Sequence, residues 1–284
     1  MKRIDLHTHS TASDGTNSSQ DNVALAKERG LQAIAITDHD TVSGVAEALE
    51  AGARLGVEVV PGIEISTLLD GQDIHILGYF VDYLNEDFLD ELTKLRQVRN
   101  QRNQMMVDRL KELGIEITIE QVQSKQTKPG GNVGRPHIAE VLVDLGKVSS
   151  MEEAFEVYLG REGKAYVNPW RIPPKEGIEL ILRFGGVPVL AHPGLYDKDD
   201  EIEDFVEAGL QGIEVYHPDH SEQEVEKYEK LVTKHNLIAT GGSDYHGVRN
   251  GSVYHGELGS QPVGEAVLEQ LKARRNKKTS SESQ

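Results

Sequence analysis

Short apolar runs alternate with amphipathic helical patterns along most of this chain, and the runs end on histidine or acidic residues. The first run leads to His7 and His9, and the next, over 32–37, stops just before His39. Such alternation predicts parallel strands joined by crossover helices. The carboxyl ends of parallel barrel strands meet on one side, where α/β barrels build their sites. The pattern therefore predicts an α/β barrel with His, Asp and Glu side chains gathered at its mouth.

The pair formed by His7 and His9 is the clearest single motif. On a strand, residues two apart point to the same face, so both imidazoles can aim at one point. That is a chelate, and histidine is the commonest metal ligand in proteins. Taken alone, the pair is equally consistent with one buried core histidine and one solvated loop histidine that bind no metal. Its recurrence at later strand ends favours metal binding.

Nine residues near predicted strand ends are candidate metal ligands. They are His7, His9, Asp14, His39, Glu64, His75, His192, Asp244 and His246. One divalent ion takes about four to six ligands, so nine, with three carboxylates able to bridge, predict two or three divalent cations. The chain has no cysteine. Imidazole and carboxylate without thiolate suit Mn²⁺, Zn²⁺ or Fe²⁺, with Mn²⁺ preferred here.

The charge balance limits the kind of partner. Thirty basic and 47 acidic side chains give a formal net charge of −17. This argues against a broad nucleic-acid surface and against extended duplexes, but it allows a locally basic pocket. No run approaches the roughly 18 apolar residues of a membrane span, and Met1–Asp5 does not resemble a signal peptide. We expect a cytoplasmic protein without membrane partners.

The alternation stops between residues 85 and 164, where helical patterns without strands indicate a helical insertion. We predict a barrel built from residues 1–84 and 165–275, with seven strands. The insertion, 85–164, is predicted to recognise the substrate. The serine-rich end of the chain, 276–284, is predicted to be a disordered tail.

The insertion carries the candidate substrate-binding residues. Arg135 and His137 stand at a glycine-rich helix N-terminus, where free backbone N–H groups, the helix dipole and a guanidinium favour phosphate. Lys164 is a further candidate. The long helix predicted before them is polar, and its arginines are expected on a solvated face. Those arginines are Arg96, Arg99 and Arg102.

These motifs resemble those of the PHP (polymerase and histidinol phosphatase) superfamily over almost the whole chain. The stretches that carry the resemblance are His7-Thr8-His9, Ser13-Asp14-Gly15, Ile36 to Asp40, Gly62-Ile63-Glu64, His75, Ala191-His192-Pro193 and Gly242 to His246. The insertion with Gly134 to His137 resembles the branch of the nucleoside 3′,5′-bisphosphate phosphatases and the bacterial 5′-to-3′ exoribonuclease AM. The resemblance implies a distorted seven-stranded barrel and a trinuclear metal centre.

The resemblance also implies how the ligands divide among three ions. The first ion takes His7, His9, Glu64 and Asp244, the second takes Asp14, His39 and His192, and the third takes Glu64, His75 and His246. We predict that a metal-bound hydroxide, held by Asp14, His39, Glu64 and His192, attacks the phosphorus of a nucleotide or of a short RNA 5′ end. Asp38 and Asp40 are expected to orient ligands.

Two other functions remain open from the sequence. An amidohydrolase-type C–N hydrolase also carries His-x-His on a first barrel strand, but the Arg135-Pro136-His137 motif and the lack of an evident carboxylated lysine speak against it. A non-catalytic, metal-bound PHP accessory module is the other. Tyr216, His217 and His220 are expected to line the pocket without binding metal, and His255 is not placed on the metals.

Overall fold

Seven strands form one sheet in which every strand lies beside its neighbour in the chain. The computed structural model describes residues 3–126, 131–249 and 251–279, with side chains described as far as Arg275. The strands are β1 (Ile4–Asp5), β2 (Ala33–Ile36), β3 (Glu58–Leu69), β4 (Gln72–Tyr79), β5 (Val187–Leu190), β6 (Gly212–Tyr216) and β7 (Ile238–Gly241). A separate hairpin pairs β8 (Val248–Arg249) with β9 (Ser252–Val253).

The first and last strands of the sheet come together, so the sheet is a nearly closed barrel. The Leu6 N–H donates to the carbonyl of Gly241 at 3.3 Å, and the His9 N–H donates to that of Tyr245 at 2.9 Å. Burial inside the barrel explains why β2 and β5 consist of apolar residues throughout. The predicted fold class, a seven-stranded α/β barrel, is confirmed.

The prediction that the strands run parallel is wrong for β4, which is antiparallel to both β3 and β5. The cause is the turn at Asp70 and Gly71, which joins β3 to β4. Both residues have positive φ, 49° and 76°, as in the tight Asp-Gly turns of hairpins. Two residues are too few for a crossover. The N-terminal part of β4, with His75, therefore lies at the same barrel mouth as the carboxyl ends of the other strands.

Ten α-helices lie in the described part of the chain. They are α1 (Ser19–Glu28), α2 (Val45–Leu55), α3 (Glu86–Glu112), α4 (Ile119–Gln123), α5 (Arg135–Asp144), α6 (Met151–Ala154), α7 (Pro174–Arg183), α8 (Ile202–Glu207), α9 (Glu222–His235) and α10 (Glu265–Thr279). A π-helical turn, Phe155–Leu159, continues α6. None of these helices is both long and apolar enough to cross a membrane. The predicted tail overlaps α10 as far as Thr279, and 280–284 lie outside the described residues.

Helix α3 belongs to two hydrophobic clusters. Its first half sends Phe88 and Leu92 into a cluster of barrel residues. Its second half sends Met106 and Leu110 into a separate cluster made by α3 to α6 and the following segment. Because its first half lies against the barrel, α3 brings side chains of the predicted insertion to the barrel mouth.

Candidate metal centre and its cavity

Glu64, at the end of the parallel part of β3, lies at the centre of the barrel mouth. Its Oε2 is 2.9 Å from His39 Nδ1 and 3.1 Å from His9 Nε2. Its Oε1 is 2.8 Å from His75 Nδ1 and 3.1 Å from His192 Nε2. One carboxylate thus reaches four imidazoles carried by four different segments of the chain. Such a carboxylate can bridge metal ions.

Asp244 follows β7 and faces the two histidines of the opening motif. Its Oδ1 lies 3.3 Å from His7 Nε2 and 3.1 Å from His9 Nε2. The two Nε2 atoms are 3.2 Å apart, so the predicted chelate geometry is present. Asp244 has a φ of 49°, a left-handed conformation that is uncommon outside glycine and clusters at functional sites.

Asp14 gathers a second group of imidazoles on the other side of His9. Its Oδ1 lies 3.5 Å from His246 Nε2, and its Oδ2 lies 3.8 Å from His39 Nε2. Gly134 comes so close to this carboxylate that an added Cβ would lie 2.8 Å from Asp14 Oδ2. The glycine before α5 therefore lets the insertion pack directly over the centre.

The structure brings all nine predicted ligands into one cluster but divides them differently from the partition implied by the resemblance. His246 lies with Asp14, His39 and His9, where His192 was expected. His192 lies instead against Glu64 Oε1, as His75 does. The two histidines have exchanged places, because β5 is next to β4 around the mouth whereas the loop after β7 returns to the His9–Asp14 loop.

The donor set fits divalent cations. Among the described residues, five buried ligand atoms of the cluster make no hydrogen bond of suitable geometry despite the short N···O distances given above, a costly state for polar groups. They are Asp14 Oδ1, His39 Nδ1, Glu64 Oε2, His75 Nδ1 and Asp244 Oδ1. Eight of the nine side chains lie in buried residues, and His75 is partly exposed. Buried imidazoles and carboxylates aimed at common points are the ligands that these ions take.

The electrostatics of the cluster favour the metal-binding form of most ligands. Burial lowers the pKa of His39 and of His192 to about 4, so both rings are neutral at pH 7. Burial would raise the pKa of Glu64, but His39 and His75 outweigh it and hold that pKa well below its usual range. Burial also opposes the charged form of His9, yet Asp244 and Glu64 raise its pKa to about 10. In the absence of metal a proton takes the cation's place there.

Glu214 on β6 is a supporting group that the sequence analysis missed. Its Oε1 and Oε2 each lie 3.0 Å from His7 Nδ1, and its Oε2 accepts from the His192 N–H at 3.0 Å. Metal-binding histidines commonly donate their second ring nitrogen to a carboxylate in this way. An acid inside an otherwise apolar five-residue strand was the signal that could have revealed it.

The two acids next to His39 have different partners. Asp38 accepts from the Ser10 N–H at 2.7 Å and from the Ser13 hydroxyl at 2.6 Å, and so fixes the loop between His9 and Asp14. Asp40, with a φ of 52°, accepts from Arg99 Nε at 2.9 Å. Its described side-chain contacts include none with a predicted ligand.

A cavity of about 330 Å³ is lined by residues of the cluster together with four arginines. We call this set the arginine wall: Arg99, Arg102, Arg135 and Arg161. The prediction of a solvated face is wrong for Arg99 and Arg102, which are only 6% and 4% exposed. The first half of α3 lies on the barrel, so these side chains point inward, whereas Arg96 remains partly exposed.

The three predicted substrate-binding residues have different positions. Arg135 lines the cavity and donates from Nη2 to Asp73 Oδ2 at 2.9 Å. His137 is buried beneath it, and its Nδ1 accepts from the Gly134 N–H at 3.1 Å, which caps α5. Lys164 is exposed and is not among the residues that line the cavity.

Two aromatic rings lie at another side of the cavity. Phe155 from the π-helical turn and Tyr254 after β9 are stacked, with ring centroids 6.0 Å apart and planes 27° apart. Both are only partly buried. The β8–β9 hairpin was not predicted, so neither this ring pair nor His255, which also lines the cavity, was assigned to the site.

The three residues at the end of β6 and just after it that were predicted to line the pocket make contacts elsewhere in the structure. His217 is buried with Nε2 3.4 Å from Asp244 Oδ2. His220 accepts at Nε2 from the Gly194 N–H at 3.0 Å, and the Tyr216 hydroxyl donates to Glu229 at 2.8 Å. None of the three is among the cavity-lining residues.

A barrel with imidazoles and carboxylates gathered at its mouth, in groups that could hold metal ions, is the architecture of a metal-dependent hydrolase. The PHP domain family matches residues 5–159, more than half of the chain. The chain belongs to the PHP family.

Three relatives similar over most of this chain are hydrolases of phosphoester bonds by name. The 5′-3′ exoribonuclease Rnm of Escherichia coli is 36% identical, over 85% of this chain and 84% of its own. The phosphoribosyl 1,2-cyclic phosphate 1,2-diphosphodiesterase of Eggerthella lenta is 34% identical, over 86% of this chain and 94% of its own. The 3′,5′-nucleoside bisphosphate phosphatase of Chromobacterium violaceum is 33% identical, over 96% and 98%.

Solved structures share the whole fold. A metal-dependent phosphoesterase from Bifidobacterium adolescentis superposes with a TM-score of 0.86 and 30% identity, over 95% of this chain and 96% of its own. A Chromobacterium violaceum protein described as an amidohydrolase, with bound sulfate and no metal, superposes with a TM-score of 0.82 and 32% identity. The match covers 94% of this chain and 96% of that protein.

Proposed function

We propose that this chain is a metal-dependent phosphoesterase that acts on nucleotides, with nucleoside 3′,5′-bisphosphates and the 5′ ends of short RNA as its substrates. One observation carries the proposal: a single cavity places the cluster of metal-ligating groups beside a wall of arginines. Metal ligands and guanidinium groups that line one cavity are suited to a phosphorylated substrate. The names of the relatives point to the same reaction class.

We propose two or three divalent cations in the centre, with Mn²⁺ the most suitable and Zn²⁺ or Fe²⁺ as alternatives. Three groups of side chains would hold them. The groups are His7, His9, Glu64 and Asp244; Asp14, His39 and His246; and Glu64, His75 and His192. In such a site divalent cations supply activation of water for attack on phosphorus and neutralisation of the phosphoryl oxygens.

The protein's own groups would position the substrate and its ligands. Glu214 holds the His7 ring, and the Tyr196 hydroxyl lies 2.8 Å from His192 Nδ1 and accepts from the His75 N–H at 3.1 Å. Arg135 presents a guanidinium to a phosphoryl group at the start of α5. The partly exposed faces of Phe155 and Tyr254 are suited to stacking of a nucleobase.

The amidohydrolase alternative has one observation in its favour, the description of the Chromobacterium violaceum structure. Among the residues that the structure describes, no lysine lines the cavity, whereas the chemistry considered for that class uses a carboxylated lysine. The arginine wall also has no role in hydrolysing a neutral amide. A non-catalytic module would not need a cavity that joins complete ligand groups to cationic and aromatic walls. We therefore favour the phosphoesterase.

The proposed substrates are nucleotides and RNA, and the chain has no cysteine to suggest an oxidising compartment. We propose the cytoplasm as its location.

A substrate panel tests the proposed function. Purified protein is stripped with a chelator, reloaded with Mn²⁺, Zn²⁺ or Fe²⁺, and assayed for phosphate and nucleotide release. The panel contains adenosine 3′,5′-bisphosphate, 5′-phosphorylated RNA oligomers, a cyclic phosphate and amide substrates. We expect hydrolysis of phosphoesters that disappears on chelation and returns with metal. Release from amides alone, or from no phosphoester with any metal, would contradict the proposal.

A further inference from the structure

The two carboxylate oxygens of Asp244 have different imidazole neighbours. Its Oδ1 lies 3.3 Å from His7 Nε2 and 3.1 Å from His9 Nε2. Its Oδ2 lies 3.4 Å from His217 Nε2 and 3.5 Å from His255 Nε2. The first pair belongs to the opening motif, whereas the second pair follows β6 and β9, two strands to which the sequence assigned no metal ligand.

A backbone contact fixes which ring nitrogen of His217 carries the hydrogen. The Asp219 N–H donates to His217 Nδ1 at 3.2 Å, while the Asp219 carboxylate is farther from that nitrogen, at 3.9 Å. A neutral imidazole has one donor and one acceptor nitrogen, and the bond made by one decides the state of the other. Because Nδ1 accepts, Nε2 carries the hydrogen and can donate to Asp244 Oδ2. The residue is only 1% exposed, so the tautomer is set inside the protein.

The side chain of the same aspartate holds His255. The Asp219 Oδ2 lies 2.6 Å from His255 Nδ1, which leaves His255 Nε2 as the nitrogen near Asp244. His255 has a φ of 59°, a left-handed conformation that is uncommon outside glycine and clusters at functional sites. Asp219 thus orients two imidazoles, one through its N–H and one through its carboxylate.

The same side chains have the composition of a metal site of their own. His217, Asp219 and His255 each offer a ligand atom, and the three atoms lie within 4.8 Å of one another. A cation on His217 Nδ1 would displace the Asp219 N–H from that nitrogen. A cation on His217 Nε2 would leave a hydrogen on Nδ1, and this hydrogen would then oppose the Asp219 N–H. The hydrogen bonding therefore favours a supporting role for His217 over a ligand role.

We propose that His217 is a positioning residue for Asp244. Its Nε2–H holds Oδ2, so that Oδ1 stays directed at His7 and His9, where the first cation of the centre would bind. His255 adds a second contact to the same oxygen. This inference rests on the proposed metal centre, in which Asp244 belongs to one ligand group. Carboxylates that bind metal are themselves held by hydrogen bonds, and removing such a partner typically costs 10- to 100-fold in metal affinity.

A metal titration tests the role of His217. Metal-free protein is titrated with Zn²⁺ or Mn²⁺ in competition with a chelating dye, without substrate. His217→Leu removes the donor, and we expect the affinity for one bound equivalent to fall about 10- to 100-fold. The other equivalents should keep the wild-type affinity, because Asp244 belongs to one ligand group. His217→Gln should recover most of the loss, because its amide N–H can take the place of the Nε2–H.

The matched control is His235→Gln, since His235 is a partly exposed histidine at the end of α9. It should bind metal as the wild type does. Elemental analysis at saturating metal should find the wild-type number of ions in His217→Leu. One ion fewer there would show that His217 is itself a ligand, and an unchanged affinity for every equivalent would show that it positions nothing. Either result would overturn the proposal.

Melting curves establish whether each variant is folded. If His217→Leu does not fold, His217→Asn is measured instead, because its side chain is polar but too short to place a donor at the Nε2 position. Wild-type metal affinity in a folded His217→Asn protein would also overturn the positioning role.

Kinetics separate this inference from the proposed function. With excess metal, His217→Leu should hydrolyse adenosine 3′,5′-bisphosphate with the wild-type KM and most of the wild-type kcat, because the weakened equivalent is then bound. If no phosphoester is hydrolysed but His217→Leu weakens one equivalent, the proposed function fails while the positioning role stands. If hydrolysis is found and every equivalent keeps its affinity, the positioning role fails while the proposed function stands.

Discussion

The metal centre and the arginine wall both bury charge at the same cavity, but they do so with opposite signs and from different parts of the fold. The candidate metal centre is built mainly from carboxylates and imidazoles at strand ends, and several of its buried ligand atoms make no hydrogen bond within the described part of the protein. The arginine wall comes from helices and loops of the 85–164 region, and its guanidiniums lack enough carboxylates. Each region is suited to a ligand of the opposite charge. Together they would fit divalent cations and an anionic substrate in the same cavity.

This difference predicts that substitutions in the two regions should affect metal binding and substrate binding separately. A change in the metal centre should remove ions and activity together. A change in the arginine wall should leave the metal content unchanged and weaken substrate binding.

The largest effect is expected for Glu64→Gln. Glu64 lies within 3.1 Å of four imidazoles, so losing its charge should release metal and lower kcat/KM by more than about 100-fold, since disturbing a supporting group alone costs about 10- to 100-fold. Elemental analysis and phosphate-release kinetics measure both. Glu58→Gln is the control, an exposed acid at the start of the same strand. A Glu64→Gln protein with full metal content and full activity would contradict the assignment of the centre.

Glu214→Gln should give the next largest effect. The amide can no longer stabilise a positive or metal-bound His7 as the carboxylate does, so we expect metal affinity to fall about 10- to 100-fold. Competition with a metal-chelating dye measures the affinity. Because Glu214 contacts His7 at Nδ1 and not at Nε2, where Asp244 and Glu64 lie, excess metal should restore most of the activity. Failure of excess metal to rescue it would assign Glu214 a role beyond holding His7.

Arg135→Ala tests the arginine wall in the same way. We expect KM for nucleotide substrates to rise about 10- to 100-fold, because one charged hydrogen-bond donor to phosphate is lost. Metal content should remain that of the wild type, because no described contact of Arg135 reaches a predicted ligand. Loss of bound metal in this variant would contradict the conclusion that the arginine wall and the metal centre bind their ligands independently.

Tyr254→Ala should have the smallest effect, about 5- to 10-fold on KM, at the low end of the range for base stacking. The loss should appear with adenosine 3′,5′-bisphosphate and be absent with ribose 5-phosphate, which has no aromatic ring. Tyr254→Phe should behave as the wild type, because it keeps the ring. Equal losses with both substrates would show that the ring supports the fold of the site instead of the base.

Much of the metal centre was predictable because its ligands stand directly beside apolar strand-forming runs. His7 and His9 follow β1, and His39 follows β2, so local sequence already places them at a strand end. Positions that depend on packing were not predictable in this way. The direction of β4 depends on the Asp70-Gly71 turn, and the exchange of His192 with His246 depends on the order of segments around the mouth.

The α/β barrel and the nine residues that gather at its mouth follow from the sequence, because strand ends and ligand types are local features. Packing between distant segments sets which side chains share a ligand group, which acid holds His7, and where the arginines of α3 point. Arg99 and Arg102 look like any polar residues of a long helix until that helix packs on the barrel. Burial, which no short stretch of sequence encodes, turns them from a solvated face into the cationic side of the cavity.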